Sequence, residues 1–66
     1  STVYAYANAV QAVIDEEGIT WNTLQNNIST IVKKYDIGGA KETFGCKSNK
    51  TVINALRRFE EFVNSL

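Results

Sequence analysis

The sequence predicts a small all-α domain built from three helices, and three observations carry that prediction. The chain has 66 residues, which is the size of one domain and not two. Apolar residues recur at helical spacing in three separate stretches. Gly18 and the pair Gly38 and Gly39 fall where the first two of these stretches end. We therefore expect residues 1–66 to form a single helical domain.

The first helix is predicted from about Val3 to Glu17. Ser1 or Thr2 can cap its start, and Gly18 suits the left-handed position that follows a helix end. Its apolar stripe comprises Val3, Tyr6, Ala7, Val10, Val13 and Ile14, and Tyr4, Ala5, Ala9 and Ala12 widen it. A helix that is apolar on more than one face packs against more than one neighbour.

Three acidic residues close this first helix: Asp15, Glu16 and Glu17. The helix macrodipole disfavours anions at a C-terminus, so these carboxylates do not stabilise the helix by that route. We expect them to have another role, such as pairing with a basic surface.

The second predicted helix begins after the cap residue Thr20, and Ile19 and Leu24 have the spacing of a hydrophobic staple. Its core stripe comprises Trp21, Leu24, Ile28, Ile31, Val32 and Tyr35. The opposite face holds Asn, Gln, Ser and Thr, which are mediocre helix formers, so tertiary packing must hold this helix. Gly38 and Gly39 end it.

The third predicted helix runs from Ser48 or Asn49 to the C-terminus. Its stripe comprises Val52, Leu56, Phe59, Val63 and Leu66, with Ile53 and Phe62 beside it. Between the second and third helices, Ala40–Phe44 can form a short helical turn that Gly45 ends.

Composition excludes most catalytic chemistry. The chain has no histidine and one cysteine, Cys46, so it can form neither an internal disulfide nor a Cys/His zinc site. No imidazole exists to serve as a general base or to activate a nucleophile. We expect no enzyme, no metal and no cofactor, and we interpret Cys46 as a small buried residue in a turn. No apolar run is long enough to span a bilayer, which leaves a soluble cytosolic or virion-interior module.

A domain of this size is marginally stable alone and has no disulfide or metal, so we expect it to dimerise. The predicted dimer interface comprises Val3, Tyr6, Val10, Trp21, Phe59, Phe62, Val63 and Leu66.

Charge is balanced in sum but not along the chain. Residues 1–32 contain three acids and no base, whereas residues 33–66 contain all seven bases and four acids, which leaves +3. Residues 33–58 alone carry +5. Such asymmetry indicates an acidic partner such as nucleic acid, although a solvated surface without a partner would show the same pattern.

The stretch from Ala40 to Arg58 resembles the bacterial helix-turn-helix, in which a short helix, a glycine-containing turn and a Ser-capped recognition helix follow one another. Ala40, Gly45, Ser48, Thr51-Val52 and Leu56-Arg57 carry the resemblance. One extra residue stands on each side of Gly45, which argues against groove insertion and direct reading of bases. The start of the third helix presents unpaired backbone N–H groups and is flanked by Lys47 and Lys50, which favours contact with phosphates. The candidate nucleic-acid-binding residues are Lys33, Lys34, Lys41, Lys47, Asn49, Lys50, Asn54, Arg57 and Arg58.

The layout of the whole chain, with its glycine-bearing loop and a last helix ending Glu-Glu-Phe-Val-Asn-Ser-Leu, resembles one family. It is similar to the C-terminal domain of the membrane-anchored replication organiser proteins of Bacillus phages with protein-primed DNA replication. The resemblance implies a homeodomain-related protomer in an intimate dimer that binds double- and single-stranded DNA with little sequence preference. It also implies multimers along DNA and a DNA-linked terminal protein as a further partner. The implied location is the inner face of the host membrane, through an N-terminal anchor that these 66 residues do not contain.

A second interpretation is a helical protein-interaction or scaffolding module that binds no nucleic acid. The broad apolar surface of the first helix and the neutral net charge favour it. Tyr4, Tyr6 and Trp21 would then anchor a protein interface.

Overall fold

A computed structural model describes residues 2–66, without the side chains of Thr2, Val3 and Ser48. It contains five helices: α1 (Thr2–Glu17), α2 (Trp21–Asn26), α3 (Ile28–Tyr35), α4 (Glu42–Gly45) and α5 (Lys47–Asn64). The all-α class is confirmed, but residues 2–66 form five helices where we expected three. The predicted Ser1 cap and the interface role of Val3 lie outside the described residues. The predicted caps at Thr2 and Ser48 were wrong, because both residues lie inside a helix: α1 includes Thr2, and α5 begins at Lys47, after Cys46.

The core lies where α5 crosses α1 and α3. Its buried side chains are Ala9, Val10, Val13 and Ile14 from α1, Leu24 from α2, Ile28, Ile31, Val32 and Tyr35 from α3, and Val52, Ile53, Ala55 and Leu56 from α5. These are mostly the predicted stripes. The prediction that Trp21 and Leu66 are core residues was wrong, because Trp21 is 46% exposed and Leu66 is 76% exposed. Ala7 is also exposed, and it lies on the same side of α1 as Tyr6 and Val10, along an open groove.

The predicted second helix is divided at Asn27. Its backbone N–H donates to the carbonyls of Thr23 and Leu24, and its side-chain Nδ2 donates to the Thr23 carbonyl over 3.0 Å. A side chain that bonds a nearby carbonyl competes with the helical ladder. The chain restarts as α3 at Ile28, whereas the start of α2 is as predicted, with Thr20 Oγ1 accepting from the Thr23 N–H.

Glycine is required at the corner where α4 packs against α3. Gly45 is buried, and a Cβ at this position would overlap the carbonyl oxygen of Tyr35. The Phe44 ring meets the Tyr35 ring edge-on, with centroids 5.6 Å apart. The absence of a side chain at Gly45 therefore lets α4 approach the end of α3, and α5 starts two residues later.

The first turn of α5 is irregular. The helix begins at Lys47, one or two residues before the predicted start, and it follows Cys46, which is half-buried rather than buried. Asn49 and Lys50 both have positive φ, at 58° and 67°. The left-handed region costs L-residues about 1–2 kcal/mol each, and asparagine tolerates it best. Lys50 N–H still donates to the Cys46 carbonyl, so the turn stays closed.

Candidate nucleic-acid interface

Two of the predicted binding lysines form salt bridges with the acidic end of α1. Lys34 Nζ lies 2.9 Å from Glu17 Oε1, and Lys41 Nζ lies 2.7 Å from Glu16 Oε2. The backbone holds the two lysines together, because Lys41 N–H donates to the Lys34 carbonyl over 2.8 Å. The expectation that this acidic cluster pairs with a basic surface is confirmed for Glu16 and Glu17. Asp15 instead accepts a hydrogen bond from Gln11.

Glu17 is the most enclosed of these carboxylates. Its side chain is 12% exposed, and it accepts hydrogen bonds from Lys34 Nζ and, over 2.8 Å, from Tyr35 OH. Burial disfavours its charge, but the hydrogen bonds from Lys34 and Tyr35 outweigh burial, so the pKa of Glu17 is lowered. Burial and the neighbouring Glu17 carboxylate both raise the pKa of Tyr35. These contacts tie the end of α1 to the end of α3.

A second pair joins the end of α3 to α5. Arg57 Nη2 lies 2.6 Å from Asp36 Oδ1, which also accepts the Ile37 N–H over 2.7 Å. The hydrogen bond from Arg57, followed by that from Ile37, lowers the pKa of Asp36, and the charge of Lys50 adds to the effect.

The remaining basic residues differ in their partners. Arg58 Nη1 lies 3.3 Å from Glu61 Oε2 on the same exposed face of α5. Lys47 Nζ lies 4.6 Å from the centroid of the Phe44 ring. Within residues 2–66, Lys33, Lys47 and Lys50 are exposed and form no salt bridge with a carboxylate.

The nine predicted binding residues thus fall into distinct groups. Lys34 and Lys41 pair with the acidic end of α1, Arg57 pairs with Asp36, and Arg58 pairs with Glu61. Lys33 on α3 and Lys47 and Lys50 at the start of α5 form no salt bridge among the described residues. Asn49 and Asn54 are exposed on α5. Sequence reasoning did not find the partners Asp36 and Glu61. The i,i+3 spacing of Arg58 and Glu61 was a usable signal, whereas Asp36 and Arg57 are distant in sequence.

An apolar groove of about 720 Å³ opens between α1, α2 and α5. Five of the predicted interface residues line it: Tyr6, Val10, Trp21, Phe59 and Phe62. The Phe59 ring meets Trp21 edge-on at 5.9 Å and stacks on Phe62 at 6.3 Å. Val63 is half-buried against the core, and Leu66 is exposed beyond the end of α5. Most of the predicted interface residues therefore lie along this one groove.

Comparisons of the chain with protein-family models, with curated proteins and with solved structures gave no significant match. In residues 2–66, no group of three or more Cys, Asp or Glu side chains is arranged to hold a metal ion. The same part of the chain has no helix with the length and hydropathy needed to cross a membrane.

Proposed function

We propose that this domain binds nucleic acid without sequence preference, through contacts between its lysines and the phosphate backbone. One observation carries the proposal: within residues 2–66, Lys47 and Lys50, at the start of α5, and Lys33 on α3 form no salt bridge, while the other bases are paired. Ammonium groups that are already free gain most from a phosphate. Phosphate contacts position a protein on nucleic acid and carry no sequence information by themselves.

The charge along α5 limits how a polyanion approaches. Lys47 and Lys50 lie in its first turn, whereas Glu60 and Glu61 lie near its end. Glu60 accepts a hydrogen bond from Ser29 over 2.9 Å, so its carboxylate stays on the α3 side of the helix. The backbone of the nucleic acid would therefore lie across the N-terminal half of α5.

The paired cations contribute less to binding. Lys34, Lys41 and Arg57 each exchange a carboxylate for a phosphate, and that exchange returns little net free energy. A single protomer then offers few productive contacts, and its affinity is weak. Joining two protomers raises the effective concentration of the second set of contacts, so dimerisation multiplies affinity.

The apolar groove is the proposed dimer surface. Trp21 and Phe62 are 46% and 59% exposed, and each packs against the half-buried Phe59 ring. Aromatic anchors of this kind dominate the energetics of protein interfaces. A second copy of the chain would bury both rings. The resemblance to the replication organiser proteins extends the proposal to dimers that multimerise on phage DNA at the host membrane, with a DNA-linked terminal protein as partner.

Fluorescence anisotropy with mixed-sequence duplex and single-stranded probes at two salt concentrations tests the binding. We expect both probes to bind at low salt and to dissociate as salt rises. Probes that tumble freely with saturating protein at low salt would contradict the proposal.

Sedimentation of two serine variants tests the dimer surface. Phe62→Ser removes an exposed ring that lines the groove, and we expect it to shift the protein towards monomer. Ile37→Ser is the matched control, because Ile37 is 70% exposed and does not line the groove. Equal behaviour of the two variants would place the dimer elsewhere.

The apolar groove also supports the second interpretation, a protein-interaction module that binds no nucleic acid. The two functions separate in the anisotropy experiment. Association through the groove without any binding of duplex or single strand would favour the interaction module.

A further inference from the structure

A second cavity, of about 440 Å³, lies on the opposite side of α1 from the apolar groove, where α1 meets α4 and the start of α5. Ala5, Ala9 and Ala12 come from α1, Phe44 from α4 and Lys47 from α5. Its volume falls within the range of about 300–1,000 Å³ that is typical of small-molecule sites.

The shape of this cavity suits a flat aromatic group. The three alanines are spaced along one face of α1 and extend no further than Cβ, so a planar ring can approach the helix closely. Phe44 is half-buried and held edge-on against the fully buried Tyr35 ring. The Phe44 ring is therefore a fixed surface at the side of the cavity.

The charge of the cavity favours an anionic ligand. Lys47 supplies a cation, and none of the described residues that line the cavity is a carboxylate. Lys47 Nζ rests over the Phe44 ring at 4.6 Å without a salt bridge among the described residues. An exposed cation–π contact is weak, so the ammonium group can exchange the ring for a phosphate oxygen. The exposed Asn8 adds an amide beside the alanines.

We propose that this cavity binds one base of a single-stranded nucleic acid, with the base against Ala5, Ala9 and the Phe44 ring and the adjoining phosphate on Lys47 Nζ. Stacking on an aromatic side chain is tolerant of sequence because every base has a π-face. A base within a duplex is paired and stacked and cannot enter. The inference rests on the proposed function and adds to it a site that only unpaired strands occupy.

The test compares three probes: oligo(dT) and an abasic strand of equal length, which carry the same charge and differ in their bases, and a mixed-sequence duplex. The abasic strand keeps every phosphate, so it reports backbone contact alone. The parent protein is expected to bind oligo(dT) about tenfold more tightly than the abasic strand, which is the size of one stacked base.

Filling the cavity is the decisive variant. Ala5 is exposed, so Ala5→Leu places a larger side chain in the cavity and reduces its open volume without entering the core. We expect it to remove the preference for oligo(dT) over the abasic strand and to leave duplex binding unchanged. Ala40→Leu is the control, because Ala40 is exposed in the loop before α4 and does not line the cavity. Phe44→Leu keeps an apolar side chain, removes the ring, and provides a second way to abolish the preference.

Three results would overturn the inference. Equal binding of oligo(dT) and the abasic strand by the parent shows that bases are not held. The base is held elsewhere if Ala40→Leu loses the preference for oligo(dT) over the abasic strand. The same conclusion follows if Ala5→Leu and Phe44→Leu both keep that preference. A change of sedimentation in Ala5→Leu shows that a second copy fills the cavity. If the duplex still binds in these cases, the phosphate-binding proposal stands; if no probe binds the parent, both proposals fail.

Discussion

The salt dependence of duplex binding is the sharpest consequence of the lysine environments. Each phosphate that a protein neutralises on duplex DNA contributes about −0.9 to the slope of log affinity against log salt. Three lysines form no salt bridge in the part of the chain that the structure describes: Lys33, Lys47 and Lys50. They predict a slope of about −2.7 per protomer. The Lys47→Ala/Lys50→Ala variant should leave a slope of about −0.9.

These slopes translate into measurable affinities. Between about 50 and 200 mM salt, one parent protomer should lose about 40-fold in affinity and the double variant about 3.5-fold. Anisotropy titrations of a mixed-sequence duplex at several salt concentrations give both slopes. The matched control is Lys41→Ala/Arg57→Ala, which removes the same charge from cations that Glu16 and Asp36 already hold. Its slope should remain near that of the parent.

Two outcomes would refute this reasoning. If both double variants lower the slope equally, net charge governs binding and the free lysines have no special role. If neither variant changes the slope, the phosphate contacts lie elsewhere on the protein. Sedimentation of each variant beside the titration ensures that slopes are compared for the same oligomeric state.

Three further predictions concern stability. Glu17→Gln should lower the free energy of unfolding by about 1–3 kcal/mol at neutral pH, since the charged partner of Lys34 and Tyr35 is lost. Because the pKa of Glu17 is lowered in the folded state, its contribution is present above its unfolded pKa and is lost as pH falls through the folded value. Urea titrations should therefore show parent and variant converging in acid, and a constant difference would contradict the assignment. Leu24→Ala should cost about 2–5 kcal/mol in the same assay, because Leu24 is fully buried; a cost below about 1 kcal/mol, close to that of a surface substitution, would mean that α2 is not docked. Gly45→Ala should lower the thermal midpoint because its Cβ overlaps the Tyr35 carbonyl, and an unchanged midpoint would show that α4 shifts freely.

The long helices could be predicted from sequence because apolar periodicity and end signals agree there. The predicted first helix, Val3–Glu17, starts one residue after α1, and Gly18 ends it at the expected position with φ of 66°. The break at Asn27 was not predicted, because the apolar spacing from Leu24 to Ile28 continues as in one helix. The asparagine pair before Ile28 was the available signal, since asparagine bonds nearby backbone groups and favours caps.

The candidate site could be predicted only in part. Sequence reasoning named every base, and it expected the acids at the end of the first helix to meet a basic surface. It could not say which bases are paired, because the partners are distant along the chain: Lys34 and Glu17 are 17 residues apart, and Lys41 and Glu16 are 25. The division into free and paired cations depends on how α1, α3 and α5 pack.

The position of Trp21 provides an intrinsic optical probe. It is the only tryptophan, and its indole Nε1 donates to Gln11 Oε1 over 3.2 Å while its ring lines the groove next to Phe59. Occupation of that groove removes water from the indole, so its emission should shift to the blue as protein concentration rises. Unlabelled protein can thus report self-association in the same cuvette in which an oligonucleotide is added.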